Sequence, residues 1–368
     1  MSLTRILTSN RHQLVRDVLK HCFPKPEFNL NSEILAPPCT QSYSTVGQAI
    51  DYLIRFYLEH KYKNKVIADD IWIADKAYNY IKKQITYCKS PKISIGFKDK
   101  MNVDKERLYK CVEEKYNESK VNYIKFFKNG KVTVPLIQSC IFLARLDVTY
   151  RTANISDELI NVNNTEINDV INMFSCINPD HLKVKKYCYV NPTFGMGSKL
   201  TRGADADLII DGTIIDIKST LHLSLERSYY NQIIGYYILY LIGGINFEIN
   251  KHKVSDIGIY YARYGQLWKT PVSDIADNNM LLAFTHWFYN YVNSVYHCDS
   301  FIEGYEKRLL LRMNENNKGI KYKKKDLPSV WNIYSPKMKL NSAVKDYLFE
   351  IDLLFNPDAD KSYLKLLE

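Results

Sequence analysis

The stretch 203–220, GADADLIIDGTIIDIKST, decides the reading of the fold. It predicts two short strands joined by Asp211-Gly212, because both central residues of such a hairpin turn need positive φ. That turn sets the register by arithmetic: Ile210 faces Thr213, Ile209 faces Ile214, and Leu208 faces Ile215. Carried outward, Asp207 falls opposite Asp216 and Asp205 opposite Lys218. The pleat then sorts the side chains by face. One face carries Ala204, Ala206, Leu208, Ile210, Thr213, Ile215, Ile217 and Ser219, which suits a core. The other carries Asp205, Asp207, Asp216 and Lys218, with Ile209 and Ile214 nearer the turn.

Directly opposed side chains have Cβ atoms roughly 4.5–5.5 Å apart, and like charges there destabilise a hairpin. Asp207 against Asp216 therefore calls for a compensating cation. Two converging carboxylates begin a Mg²⁺ or Mn²⁺ site, since hard cations take oxygen ligands. Lys218 follows Asp216 by two residues on the same strand face and can set an ammonium beside that ion. There it can orient a water or offset charge developing on a phosphorane. The plainer reading is a hairpin with one solvated, charged face.

An Asp at the end of one strand followed by Asp-x-Lys on the next resembles the core motif of the PD-(D/E)XK nuclease superfamily. Downstream, Gln232-x-x-x-Tyr236 sits in a helical segment, 225–243, on one face of the helix. That pattern is similar to the RecB-type exonuclease branch. The resemblance spans roughly residues 183–272. It implies an α/β core, a mixed central sheet flanked by helices, and a divalent-metal-dependent nuclease acting most readily on DNA, with RNA not excluded. By resemblance, Asp207 and Asp216 hold the metal, the Ile217 carbonyl is a further ligand, and Lys218 assists the attacking water. Gln232 orients the active-site groups or the scissile phosphate, and Tyr236 contacts DNA or supports Lys218. Such enzymes often draw one more ligand from an earlier helix. Asp51, in Gly47-x-x-x-Asp51, Glu158 and Glu166 are the candidates, and the sequence does not choose among them.

The chain has 368 residues, 46% of them hydrophobic, enough to bury a real core. No run approaches the ~20 apolar residues of a membrane span. Residues 1–17 lack an apolar h-region, so no signal peptide is expected. The eight cysteines are scattered without a CxxC pair, which predicts reduced, mostly buried thiols in a cytoplasmic protein and no iron–sulfur cluster. The net charge of +10 suits a polyanionic partner, although joint richness in Lys, Ile, Asn and Tyr is also what AT-rich coding produces.

In order, residues 1–150 read as a mostly helical region, with helices over 6–22, from 44 onward, 68–88, 105–122 and 136–150. Residues 151–296 read as the α/β core: a helix over 155–175, a strand over 183–190, a flexible loop over 191–202, the hairpin, the 225–243 helix, strands over 256–263 and 266–270, and a helix over 279–296. Gly195-x-Gly197 has no third glycine and leads toward a strand, so it is not a dinucleotide fingerprint. Residues 297–368 read as a helical, partly basic extension. Lys199 and Arg202 precede the acidic hairpin and can hold a phosphodiester. Arg263 and Tyr264 emerge at the sheet edge and can touch a backbone phosphate. The cation run 318–325, with Tyr322 interleaved between Lys321 and the Lys323 and Lys324 pair, can track a backbone.

Three functions follow as expectations. The first is a metal-dependent nuclease in repair, restriction or defence against foreign DNA, working with a helicase or other motor, since the chain has no P-loop of its own. The second is a catalytically silent nucleic-acid-binding or assembly subunit with the same fold. The third is a helical interaction module whose acidic hairpin holds a structural ion.

Overall fold

A computed structural model of the chain describes residues 2–68, 72–87, 105–152, 159–248, 251–276 and 278–296. Glu158, Lys323, Lys324 and the whole 297–368 extension lie outside the described residues.

Six strands form one mixed sheet in sequence order: β1 (Val66–Ile67), β2 (Cys188–Val190), β3 (Leu208–Ile210), β4 (Thr213–Lys218), β5 (Asp256–Tyr261) and β6 (Gln266–Pro271). β1 with β2 and β4 with β5 run parallel; the other neighbours are antiparallel. The hairpin has the expected register, Leu208 opposite Ile215, Ile209 opposite Ile214 and Ile210 opposite Thr213. Asp211 and Gly212 take φ of 47° and 89°, the left-handed pair this turn demands.

Ten helices flank the sheet among the described residues: α1 (Leu3–Thr8), α2 (Gln13–Cys22), α3 (Tyr43–Lys61), α4 (Ile73–Tyr87), α5 (Lys105–Asn129), α6 (Val134–Thr152), α7 (Asn164–Ser175), α8 (Met196–Leu200), α9 (Arg227–Gly243) and α10 (Asn278–Tyr296). The chain is therefore an α/β protein with a mixed sheet between two helical layers. On one face Ile209, Ile214, Ile257, Ile259 and Tyr261 pack under α1, α2, α9 and α10. On the other, Leu208, Ile210, Ile215, Tyr260 and Ala262 pack under α3 to α7. Region 1–150 supplies the edge strand β1 and helices to both layers, so it shares its cores with the sheet.

Both hairpin faces are thus apolar near the turn, with Ile209 and Ile214 on the face that carries the acidic residues farther out, which excludes the plainer reading of a solvated face there. Ala204 and Ala206 join the layer of Ile209 and Ile214, not that of Leu208. The alternation breaks there because the chain leaves the ladder before Leu208. Asp205 makes an isolated bridge with Thr193 instead of facing Lys218, and the Ala206 N–H goes to the Pro192 carbonyl.

Other boundaries moved for identifiable reasons. The strand expected over 183–190 shrinks to three residues, because the N–H groups of Lys185, Lys186 and Tyr187 are taken by the Asp211 carboxylate at 2.6–3.0 Å. The helix expected from residue 155 starts at Asn164, where Asn163 and Glu166 form a reciprocal capping box. The 6–22 helix is broken after Thr8, where Ser9 caps a short 3₁₀ turn. The loop over 191–202 contains α8, and Gly195-x-Gly197 leads into that helix. Gly197 permits its close approach to α9: a Cβ there would lie 2.5 Å from the Leu239 carbonyl oxygen.

Candidate functional site

At the C-terminal end of β4 the two helical layers part, leaving a cleft of about 1020 Å³. Asp207, Asp216, Ile217 and Lys218 line it from the hairpin, Gln232 and Tyr236 from α9, and Asp51 and Arg55 from α3. Helix α3 comes this close because residue 47 is glycine: a Cβ there would sit 2.5 Å from Ser219 Oγ. Among the three candidates for a helical ligand, the structure brings Asp51 into the cleft. Glu166 is fully buried elsewhere, back-bonding the Asn163 N–H and receiving both of its Arg145 contacts at 2.7 and 2.9 Å.

The cleft's polar groups are tied to one another. Asp207 Oδ2 accepts from the Ile217 N–H at 2.6 Å, so Ile217 contributes a donor to the arrangement. Lys218 Nζ lies 2.6 Å from Asp216 Oδ2 and donates to Gln232 Oε1 at 3.1 Å. The Gln232 amide in turn donates to Tyr236 Oη at 2.7 Å. Lys218 also stands 5.1 Å from the centre of the Tyr229 ring. Across the cleft Asp51 pairs with Arg55 one turn later on α3. Tyr52 donates to Asp147 at 2.9 Å, and Arg55 lies 4.4 Å from the Tyr52 ring centre.

Burial sets the electrostatics. It pushes the Asp207 carboxyl well above the ordinary range, and the nearby charges of Asp51 and Asp216 add to this against Lys218 and the Ile217 N–H. Asp51 is raised by burial despite Arg55. Burial alone would lower Lys218, but the fields of Asp216 and Asp207 outweigh it and hold the ammonium charged. Burial likewise raises the Tyr236 hydroxyl, keeping it a neutral phenol. Asp147 is pushed up to about 7, mainly by burial.

Can these groups hold a hard cation? Asp51 Oδ1 and Gln48 Oε1 are buried without a hydrogen-bond partner, and both residues line the cleft. Asp216 Oδ2 is met by the Lys218 ammonium at 2.6 Å. Buried unsatisfied oxygens are costly and call for a donor or an ion. The donor set is all oxygen, which fits Mg²⁺ or Mn²⁺. Among the described residues, however, no three acidic, histidine or cysteine side chains converge as a preformed ligand cluster.

Not every sequence-predicted residue reaches the site. Arg263 is fully buried and holds Asp169 at 2.7 and 3.2 Å while donating to the carbonyls of Ser219 and Ala36. It braces the end of β4 from behind, and no phosphate reaches it. Tyr264 is also buried and donates to the Leu221 carbonyl. Lys199 is exposed but lies over the Phe247 ring at 4.8 Å, away from the cleft lining. Arg202 does line the cleft. Arg55, Tyr52 and Asp147 were not foreseen. Arg55 had a signal in its i+4 spacing from Asp51, whereas Asp147, within the helix Val134–Thr152, had none.

No described helix is long and apolar enough to cross a membrane. Comparison of the chain with family models, curated proteins and solved structures returns no match.

Proposed function

We propose that the chain is a divalent-metal-dependent nuclease that hydrolyses phosphodiester bonds in DNA, on a core of the PD-(D/E)XK type. One observation carries this reading. Asp207, Asp216, Lys218, Gln232 and Tyr236 line a single cleft together with Asp51, whose buried Oδ1 has no hydrogen-bond partner.

Asp207 and Asp216 would hold the ion, with Asp51 as the third oxygen donor. When bound, such an ion polarises phosphoryl oxygens and makes water a better nucleophile near neutral pH. The chain's own residues do the rest. Arg55 pairs with Asp51 and opposes the burial that raises its carboxyl. Lys218, held charged by its two acidic neighbours and aimed by Gln232, positions the attacking water or counters the negative charge that builds on the phosphorus oxygens. Tyr236 fixes the Gln232 amide, so the ammonium has a defined direction. The burial of Asp216 strengthens its interaction with Lys218.

A catalytically silent binding or assembly subunit is the alternative, favoured by the lack of a preformed three-group cluster among the described residues. Linear and circular DNA, single- and double-stranded, incubated with Mg²⁺ or Mn²⁺ decides between them. Cleavage abolished by both Asp216→Asn and Lys218→Ala, in variants that keep the wild-type fold, supports the nuclease. DNA binding without cleavage by the wild type supports the silent subunit. Neither binding nor cleavage sinks both.

A further inference from the structure

The mouth of the cleft differs from its floor. The floor is acidic and buried, whereas the mouth carries exposed cations, Arg5, Lys76, Arg151 and Arg202. The lining also includes two exposed aromatic rings, Tyr43 at 45% and Tyr150 at 44% accessibility. Tyr43 opens α3 and Tyr150 lies near the end of α6, so the rings are presented by separate helices. An adjoining recess of about 200 Å³ shares Arg55, Lys76 and Asp205 with the cleft and is lined by Trp72 and the buried Tyr52 and Phe56.

We infer that the cleft takes single-stranded DNA, its backbone met by the cations of the mouth and its bases stacked on Tyr43 and Tyr150. This rests on the nuclease reading and names its substrate class. Exposed rings spaced among cations are the chemistry of single-strand binding: every unpaired base offers a π-face, and the contact is sequence-tolerant. In a duplex those faces are spent on neighbouring base pairs, and the exposed tyrosines would meet only sugar and phosphate. The cations attract either form, so the tyrosines are what discriminate. Burying an exposed aromatic ring against a base also removes apolar surface from water, which a solvated tyrosine at a phosphate groove does not achieve.

The test is fluorescence anisotropy of labelled oligothymidylate, of a mixed-sequence duplex, and of single-stranded RNA. The full chain carries Lys218→Ala and is kept in Mg²⁺, so that both carboxylates remain while hydrolysis is blocked. Tyr43→Ala and Tyr150→Ala on that background are each expected to weaken single-strand DNA binding about tenfold while moving duplex binding by less than about twofold. Tyr→Phe at either position is expected to retain binding. Lys76→Ala is expected to flatten the salt dependence by about 0.7 in log–log slope. Duplex binding as tight as single-strand binding, or alanine variants that bind single strands like the parent, overturns the inference. Equal affinity for RNA overturns its restriction to DNA. Cleavage by the wild-type chain is measured alongside. Tyrosine-dependent single-strand binding without cleavage removes the nuclease reading and keeps this one; duplex cleavage with no tyrosine dependence does the reverse.

Discussion

Asp207 does not simply oppose Asp216 across the hairpin: its Oδ2 accepts the N–H of Ile217, the residue beyond Asp216, at 2.6 Å. The carboxylate thereby replaces a backbone partner where β3 has already ended, and it is pinned next to the acid it repels. Asp207→Asn keeps an oxygen for that N–H, whereas Asp207→Ala leaves it unpaired. The alanine variant is expected to lose about 1–3 kcal/mol of unfolding free energy. The asparagine variant is expected to match or exceed the parent, since a buried charge near Asp51 and Asp216 is gone. Both are expected to lose hydrolysis. Urea unfolding of the two variants checks this, and equal losses of stability would show that the hydrogen bond is not what the side chain contributes.

Asp147 gives a pH signature. Burial raises its folded-state pKa to about 7, above the ~4 of an unfolded aspartate. Between these values the native state binds more protons than the unfolded state, so stability is greatest below about pH 4 with respect to this group and falls as pH rises to about 7. Asp147→Asn, which still accepts from Tyr52, is expected to reduce that slope. It will not abolish it, because Asp51 and Asp207 are raised in the same direction. Urea midpoints across that window provide the measurement; parallel curves for variant and parent would refute the assignment.

The hairpin was legible because its determinants are local. Asp211-Gly212 fixes the turn, and Ile209, Ile210, Ile214 and Ile215 can pair in only one register once it is fixed. What lay beyond the turn was harder. Asp211 also captures three N–H groups of the preceding segment, a long-range use of a turn residue that no alternation pattern carries. β1 is two residues long and owes its place to pairing with β2, not to its own composition. The true start of α7 was written in the sequence as Asn163-x-x-Glu166, but the apolar run upstream drew the helix too far back. Arg263 and Glu166 were misread for one reason: charge in a sequence suggests solvent or ligand, while here each is buried against a single opposite charge. Arg55 and Asp147 joined the cleft only through the packing of α3 on α6.

Arg263 should therefore behave as a structural group. It is fully buried, pairs with an equally buried Asp169, and ties the Ser219 and Ala36 carbonyls together behind the cleft. Arg263→Ala leaves Asp169 as an uncompensated buried charge and is expected to cost about 3–5 kcal/mol. Thermal unfolding should show this loss clearly. In whatever fraction remains folded, the salt dependence of DNA binding should match the parent. A change in salt slope without loss of stability would return Arg263 to the phosphate-binding role that the sequence suggested.

The relay from Tyr236 through Gln232 to Lys218 makes an ordered prediction. Lys218 is the group proposed to meet water or phosphate, Gln232 touches its ammonium at 3.1 Å, and the Tyr236 hydroxyl accepts from Gln232 at 2.7 Å. Losses in kcat should fall off along that order. Lys218→Ala should abolish turnover. Gln232→Leu keeps the ammonium but frees its direction, and a displaced catalytic group can cost on the order of 10²-fold. Tyr236→Phe removes one neutral hydrogen bond, about 0.5–1.5 kcal/mol, so a loss of roughly tenfold or less is expected. If Gln232 only fills space, Gln232→Leu will turn over like the parent. If it positions Lys218, KM for the strand should stay near the parent value while kcat falls, because the ring and backbone contacts at the cleft mouth are untouched.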